Sequence, residues 1–284
     1  IKYTTIYNED YPALLKQIYD PPIVLYYKGD LGSVNKKAVA VVGSRKMSGY
    51  GKLVTEKFTS VLASCGLTIT SGLARGVDTQ AHRSALGVKG LTVAILGGGL
   101  FSIFPPENDR LAQEIIDCGG ALVSEFPPSW PSLPGNFPAR NRIISGLSMA
   151  VLVTEAAEDS GSIITAKEAL DQGREVFAVP GPITSTTSLG TALLIKQGAT
   201  LVSDPAEILD HLGMSQLKVD EFELGQLKLD TLEQKVLASL TETRHVDEIC
   251  RELQLAAPQV SATLIKLEIK GLVRNLGGGN YSRL

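Results

Sequence analysis

The sequence predicts an α/β protein with an extended Rossmann-like fold, a doubly wound and mainly parallel sheet, followed by a small C-terminal winged-helix domain. Two observations carry this prediction. Short apolar runs alternate with helical segments along most of the chain, which is typical of βαβ units in a parallel sheet. Runs such as residues 38–42 are apolar at every position, as expected for strands that helices cover on both faces.

The predicted elements follow one another in a regular order. An N-terminal segment, residues 1–36, contains a strand that ends at Gly29. Further strands are predicted at residues 38–42, 68–70, 92–96, 121–124, 150–154, 175–179 and 200–202. Helices are predicted between them at residues 50–64, 78–86, 108–118, 143–148, 163–172 and 189–198. Ligands of such sheets bind outside the carboxyl ends of the strands, so we expect the functional site in the loops there.

The chain is predicted to divide into a Rossmann-like domain at residues 1–210, a polar linker at residues 211–228 and a winged-helix domain at residues 229–284. In the last of these, three short amphipathic helices and a hairpin with a glycine-rich turn are typical of a winged helix, a relative of the helix-turn-helix. The expected recognition helix, which starts near Ala256, lacks arginines that could read bases. Duplex binding and contact with another protein both remain open for this domain.

Composition excludes several classes of function. The net charge of the 284 residues is −3, so the chain has no general basic surface for duplex DNA. The three cysteines, Cys65, Cys118 and Cys250, are far apart in sequence, which favours buried thiols in a reducing compartment and no metal site. The longest apolar run, near residues 91–104, is interrupted by glycines, so we predict no membrane span and a cytoplasmic location.

Three predicted strands end in turns that are rich in glycine and serine. They contain Gly43-Ser44-Arg45, Ser71-Gly72 with Arg75, and Ser160-Gly161-Ser162 with Lys167 further along the helix. Glycine lets backbone N–H groups approach an anion, and the start of a helix favours negative charge. These turns are therefore candidates for phosphate binding. The alternative is that each is a plain tight turn or a simple helix cap.

A fourth segment adds a different chemistry just before the predicted helix at residues 143–148. It contains Phe137, Arg140, Asn141 and Arg142. Arginine grips phosphate in a bidentate manner, and an aromatic ring offers a face on which an unpaired base stacks. The segment predicts contact with a phosphate-rich, single-stranded ligand. The alternative is an arginine-capped turn that packs on its own domain.

No set of residues suited to catalysis accompanies these loops. The sequence has no Gly-x-Ser-x-Gly motif, no Walker lysine and no Cys-x-x-Cys pair. Asp78 and His82 lie four residues apart, which favours a capping aspartate and a packed histidine over half of a metal site. The glycines at residues 97–99 lack the spacing of a dinucleotide fingerprint, so no cofactor is expected. A binding protein, not an enzyme, is the better interpretation.

These motifs, taken in order, resemble the bacterial DprA family, also called Smf, whose members process DNA in natural transformation. The stretches that carry the resemblance are Val42-Gly43-Ser44-Arg45, Ser71-Gly72-Leu73-Ala74 through His82, Ser124-Glu125-Phe126-Pro127, Phe137 through Gly146, and Ser160-Gly161-Ser162 through Gly181. As an ordered set they are highly specific, and they cover about residues 11–209. Two positions depart from the family pattern: Ala192 stands where an amide is usual, and residues 104–106 lack a basic side chain that some members have.

The resemblance implies an extended Rossmann fold without enzymatic turnover. It implies that the chain binds incoming single-stranded DNA without strong sequence preference, displaces single-strand-binding protein and loads a RecA-type recombinase during recombination. It also implies a homodimer joined through the Rossmann domains. By motif position it assigns DNA contact to Gly43, Ser44 and Arg45, to the Ser71-Gly72 turn, and to the segment from Phe137 to Arg142.

Two other functions remain open from the sequence. Phosphoribohydrolases of the same superfamily cleave nucleoside monophosphates, but their Pro-Gly-Gly-x-Gly-Thr-x-x-Glu signature is absent here. The nearest candidate for its catalytic glutamate is Glu155, for which a structural role is the better interpretation. The second alternative is a sensor of small nucleotides that uses the same pocket.

Overall fold

We describe the fold from a computed structural model, in which residues 1–35, 37–214, 231–240, 243–269 and 272–283 are described. The chain separates into two compact units, residues 1–219 and 220–284. From residue 215 onward, the linker predicted at residues 211–228 lies outside the described residues. The two units are treated one at a time below.

The first unit is built on a nine-stranded sheet with the strand order β1-β2-β6-β5-β4-β3-β7-β8-β9. The strands are β1 (Lys2–Thr5), β2 (Val24–Gly29), β3 (Ala38–Val42), β4 (Thr68–Ser71), β5 (Thr92–Ile95), β6 (Ala121–Ser124), β7 (Ala150–Val153), β8 (Glu175–Ala178) and β9 (Thr200–Leu201). The seven strands β3 to β9 are parallel to one another, while β2 runs antiparallel to β6 and β1 antiparallel to β2. The predicted doubly wound, mainly parallel sheet is confirmed. The antiparallel edge comes from the N-terminal segment, in which β1 was not predicted.

Seven helices are described in this unit: α1 (Gly49–Ser64), α2 (Val77–Gly87), α3 (Asp109–Asp117), α4 (Asn136–Gly146), α5 (Gly161–Asp171), α6 (Leu189–Lys196) and α7 (Pro205–His211). Helix α4 begins at Asn136 and not near Ile143, because Pro138 lies in the first turn, where its missing N–H costs no hydrogen bond. Helix α7 was not predicted, although Asp204 and Glu207 form a capping box at its start.

Apolar side chains cover both faces of the sheet. Ala40 and Val42 of β3 belong to a cluster on one face together with Ile144 of α4 and Ala166 of α5. The alternating residues of the same strand, such as Val41, belong to a cluster on the other face that contains side chains of α1 and α2. Strand β3 is therefore buried on both sides, which explains its unbroken apolar run.

The order of the strands reverses beside β3. This strand pairs with β4, the next strand in sequence, on one side. On the other side it pairs with β7, which comes four strands later in sequence. In a parallel sheet such a reversal opens a crevice at the carboxyl ends of the two strands. The loops that follow β3 and β7 meet at this crevice.

Three helices are described in the second unit, α8 (Thr231–Ser239), α9 (Val246–Leu253) and α10 (Ala257–Ile269), together with a three-stranded antiparallel sheet of β10 (Arg244–His245), β11 (Val273–Gly277) and β12 (Asn280–Arg283). Its core includes Val236, Ile249, Leu264 and Tyr281. The predicted winged helix is confirmed. Helix α10, the expected recognition helix, contains no arginine. Its Ile265 is 51% exposed. No described helix of either unit is long and apolar enough to cross a membrane.

Candidate nucleic-acid interface

A pocket of about 550 Å³ lies at the carboxyl ends of β3 and β7, and we call it the switch-point pocket. Its volume falls within the range of roughly 300–1,000 Å³ that is usual for small-ligand sites. Its lining contains nine of the residues that the sequence predicted for the site: Gly43, Ser44, Arg45, Phe137, Arg140, Asn141, Ser160, Gly161 and Ser162. Three chain segments that are far apart in sequence therefore meet at one place.

The other five predicted residues lie outside this lining: Ser71, Gly72, Arg75, Arg142 and Lys167. Ser71 is fully buried, and its hydroxyl donates to the Val41 carbonyl oxygen at 2.7 Å. Arg75 is exposed and forms an ion pair with Glu107. Lys167 is exposed on α5. The structure therefore does not bring these side chains into the pocket.

Arg140 forms part of the floor of the pocket. Its side chain comes from α4, the residue is 3% exposed, and Nη1 donates to the carbonyl oxygens of Gly72, at 2.8 Å, and Ile95. Gly72 follows β4 and Ile95 ends β5, so one guanidinium joins the carboxyl ends of two strands. A Cβ at Gly72 would lie 2.5 Å from Nη2 of Arg140 and 2.7 Å from Oδ2 of Asp78, so any larger residue there would have to displace these two side chains.

Asp78, in the first turn of α2, completes the floor. Its carboxylate accepts hydrogen bonds from the backbone N–H groups of Gly72 at 3.1 Å and Ala74 at 3.3 Å. Burial raises the pKa of Asp78 above its ordinary value, and the nearby Arg140 opposes that rise. Burial also lowers the pKa of Arg140 to about 10, with Asp78 opposing the fall, so this arginine remains charged at neutral pH. The aspartate holds the loop after β4 in place.

Arg142 is held by acidic side chains away from the pocket. Its Nη1 and Nη2 donate to the two carboxylate oxygens of Glu125 at 2.8 and 2.7 Å, and its Nε lies 3.1 Å from Oδ2 of Asp20. The hydrogen bonds to Glu125 raise the pKa of Arg142. The three side chains line a second cavity, of about 380 Å³, together with Pro21 and Pro22. Arg142 thus ties α4 to the N-terminal segment.

Arg45 has a different environment. It is exposed on the loop after β3, and its guanidinium carbon lies 5.6 Å from the centroid of the Phe137 ring, in a cation–π arrangement. Lys46, beside it, is also exposed and lines the pocket, although the sequence analysis did not single it out. Among the described residues, no carboxylate lies within 4.0 Å of either cation.

The start of α5 provides another feature that favours an anion. Ser160 is the N-cap of this helix, and its hydroxyl accepts from the N–H of Ser162 at 3.4 Å, as the capping alternative predicted. The first N–H groups of a helix have no intrahelical partner, and they carry partial positive charge. The exposed carboxylate of Asp159 also lines the pocket and opposes this effect.

The Phe137 ring is enclosed on several sides. It is half-buried, the Phe104 ring lies 5.6 Å away between centroids at an interplanar angle of 42°, and Arg45 covers it as described. A Cβ at Gly97 would lie 2.8 Å from Cδ1 of Phe137. The glycine at this position therefore allows the ring to approach the backbone, which gives the glycine run after β5 a packing role.

Glu155 and His82 both have structural surroundings. The Glu155 carboxylate is 2% exposed and accepts from the Ser48 N–H at 2.8 Å, the Ser48 hydroxyl at 2.5 Å and the Thr187 hydroxyl at 2.7 Å. It stabilises the start of α1. His82 is fully buried with Nδ1 2.7 Å from Oγ1 of Thr92, and burial lowers its pKa to about 3. Within the described ranges, no three His, Cys, Asp or Glu side chains are grouped so as to hold a metal ion.

Known proteins resemble both units of the chain. A family model described as DNA recombination-mediator protein A matches residues 2–213, and one described as the DprA winged helix domain matches residues 225–279. Protein Smf of Escherichia coli strain K12 is 45% identical over 284 residues, which cover 98% of this chain and 76% of that protein.

Two solved structures share the fold of the first unit. DNA processing protein A of Streptococcus pneumoniae is 43% identical with a TM-score of 0.70, over 74% of this chain and 73% of that one. DNA processing protein A of Helicobacter pylori is 31% identical with a TM-score of 0.67, over 75% of this chain and 96% of that one, and is described as having a unique single-stranded DNA binding mode. The chain belongs to the DprA/Smf family of DNA-processing proteins.

Proposed function

We propose that the switch-point pocket binds single-stranded DNA and that the chain acts as a mediator which loads a RecA-type recombinase on that strand. The observation that carries the proposal is the pair of exposed cations, Arg45 and Lys46, at a pocket that also contains the start of α5. Family membership and the single-strand binding of the Helicobacter relative support the choice of ligand.

Phosphate contacts account for the expected affinity. The guanidinium of Arg45 makes charge-assisted hydrogen bonds to phosphate oxygens, and Lys46 adds a point charge beside it. The helix start at Ser160–Ser162 receives a second phosphate. None of these groups reads a base edge, so binding depends little on sequence.

The same features favour single strands over duplex. A pocket lined by several chain segments admits a base only after that base leaves its stack, which a free strand allows and a duplex resists. With a net charge of −3, the chain has no overall excess of positive charge with which to hold a duplex by its backbone.

A binding role fits better than catalysis by a hydrolase. The carboxylate of Glu155, the nearest candidate for a catalytic glutamate, is engaged by three donors and does not line the pocket. Activation of a water by this group would require it to leave the start of α1. We therefore propose a protein without enzymatic turnover.

Binding is tested by fluorescence anisotropy of a labelled oligo-dT over a salt series, with duplex competitor. We expect salt-sensitive binding that duplex fails to compete. Arg45→Ala should weaken it and lower the salt slope by about 0.7, the value for one phosphate contact on a single strand. Arg110→Ala removes an equal charge from a side chain that is 91% exposed on α3, and should change neither. Absence of binding at low salt would contradict the proposal, and nucleoside monophosphates would be tested next.

The partners are tested separately. We propose that the chain forms a homodimer, displaces single-strand-binding protein and then delivers the strand to the recombinase. Two pockets in one dimer would raise the affinity for long strands by avidity, so affinity should increase with oligonucleotide length beyond one site. Recombinase ATPase activity on strands coated with single-strand-binding protein should rise when the chain is added, and less with Arg45→Ala. No rise with the unaltered chain would refute the mediator role while leaving strand binding intact.

A further inference from the structure

We infer that Phe104, not Phe137, supplies the free aromatic face on which a base stacks beside the switch-point pocket. The inference rests on the proposed binding of single-stranded DNA and assigns a stacking residue to it. The sequence motifs point to Phe137, whereas the residues around the two rings point to Phe104.

The ring of Phe137 has little free surface for a base. The Arg45 guanidinium carbon lies 5.6 Å from its centroid, and the backbone at Gly97 packs so closely that a Cβ there would be 2.8 Å from Cδ1. A base could stack on Phe137 only after Arg45 had moved, and Arg45 is needed for phosphate. The role of Phe137 is therefore to position Arg45 and Phe104.

Phe104 has the properties that Phe137 lacks. Its residue is 47% exposed, and its ring lies 5.6 Å from that of Phe137 between centroids. This distance falls within the roughly 4.5–7 Å of aromatic pairs, so the Phe137 ring supports Phe104 from one side. Phe104 does not line the pocket itself. It extends the contact surface beyond the pocket, to the nucleotide that follows the one held by Arg45.

Exposure alone does not single out Phe104, because isolated apolar side chains are common on protein surfaces. Phe101, on the same loop, is 70% exposed, and its backbone N–H donates to the Pro128 carbonyl oxygen at 2.9 Å. Among the described aromatic residues it contacts no other ring. What distinguishes Phe104 is its continuity with Phe137 and, through that ring, with the cation of Arg45. Phe101 therefore provides a matched control.

The test compares Phe104→Ala, Phe104→Leu and Phe101→Ala with the unaltered chain in oligo-dT binding. Loss of one stacking ring should weaken binding by a factor of about 5 to 150, since such rings contribute roughly 1–3 kcal/mol per base. Phe104→Leu retains an apolar contact with Phe137 but lacks a π face, so it should also weaken binding. The salt slope should stay unchanged in both variants, in contrast to Arg45→Ala. Phe101→Ala should bind as the unaltered chain does.

A second measurement uses an oligonucleotide of equal length with abasic nucleotides. The unaltered chain should bind it more weakly than oligo-dT, and Phe104→Ala should reduce this difference, because the stacking partner is absent in both cases. The assignment of Phe104 would be overturned if both Phe104 variants bound oligo-dT as tightly as the unaltered chain while Arg45→Ala bound more weakly. The proposed function would not be affected by that result. Failure of the unaltered chain to bind oligo-dT would instead refute the proposed function.

Discussion

The loop after β3 and the first turns of α4 both bring arginines to the same end of the sheet. Arg45, on the loop, is exposed, and its guanidinium lies beside the Phe137 ring. Arg140, on the helix, is 3% exposed and donates to two backbone carbonyl oxygens. Arg142, two residues further on, is held by Glu125 and Asp20. The contacts of the described residues leave the donors of Arg45 available to a ligand, whereas Nη1 of Arg140 and the guanidinium of Arg142 already donate within the protein.

This difference shows that arginines at one end of the sheet have two separate roles, one in the structure of the protein and one in binding the ligand. The arginines of α4 have structural roles: the buried Arg140 fixes two strand ends at the floor of the pocket, and the ion-paired Arg142 joins the helix to the N-terminal segment. The arginine of the β3 loop is left for the ligand. The predictions below test this division, from the largest expected effect to the smallest.

Arg140→Ala should have the largest effect, and on stability. The free energy of unfolding should fall by roughly 3–5 kcal/mol, because Asp78 loses its nearby cation and two buried carbonyl oxygens lose a donor. Urea unfolding measures this change, with Arg110→Ala as a control expected to stay within about 0.5 kcal/mol. A variant that kept its full stability but lost DNA binding would show that Arg140 contacts the DNA and does not support the floor of the pocket.

His82, which is fully buried and whose pKa the charge of Arg140 also lowers, tests whether the interior beside Arg140 excludes water. Its pKa is lowered to about 3 in the folded chain, so between pH 6.5 and 3 only the unfolded chain takes up a proton there. Stability from this group is present above pH 6.5 and is lost on acidification, at about 1.4 kcal/mol per pH unit. The pH dependence of unfolding should be less steep for His82→Gln. Equal slopes for the two proteins would mean that His82 is hydrated.

Gly72→Ala should destabilise the chain by roughly 1–3 kcal/mol, because the added methyl group would collide with the Arg140 guanidinium and the Asp78 carboxylate. Gly87→Ala, on α2, is the control: a Cβ there would meet no atom within 4 Å, so stability should be unchanged or slightly higher. Thermal unfolding compares the two. Similar melting temperatures would indicate that Arg140 and Asp78 can move apart without cost.

Arg142→Ala should lower stability by about 1 kcal/mol through loss of its charged hydrogen bonds, without changing oligo-dT affinity. A double-mutant cycle with Glu125→Ala isolates the energy of the pair. The two substitutions should be less than additive. If Arg142→Ala lost DNA affinity at unchanged stability, Arg142 would contact the DNA as Arg45 is proposed to do.

Sequence patterns were sufficient for the sheet, for both domain types and for the meeting of three of the predicted segments at one pocket, since all of these follow from local periodicity and the rules of parallel sheets. They were not sufficient for the roles of the arginines. Arg142 is paired with Asp20, which is 122 residues earlier, and no local signal reveals such a partner. Arg140 lies in the first part of a helix that was predicted to begin only after Pro138, near Ile143. Its acceptors are backbone carbonyl oxygens at the ends of β4 and β5, which no local pattern reveals. Lys46, next to Arg45 in the same turn, could have been found from the sequence.

The central claim is that Arg45 binds the strand and the α4 arginines do not. Its most direct test is the salt dependence of oligo-dT affinity for the unaltered chain, Arg45→Ala and Arg142→Ala, measured side by side on folded protein. The slope of log affinity against log salt should become shallower by about 0.7 in Arg45→Ala and stay unchanged in Arg142→Ala. An unchanged slope in Arg45→Ala together with a shallower one in Arg142→Ala would contradict the claim.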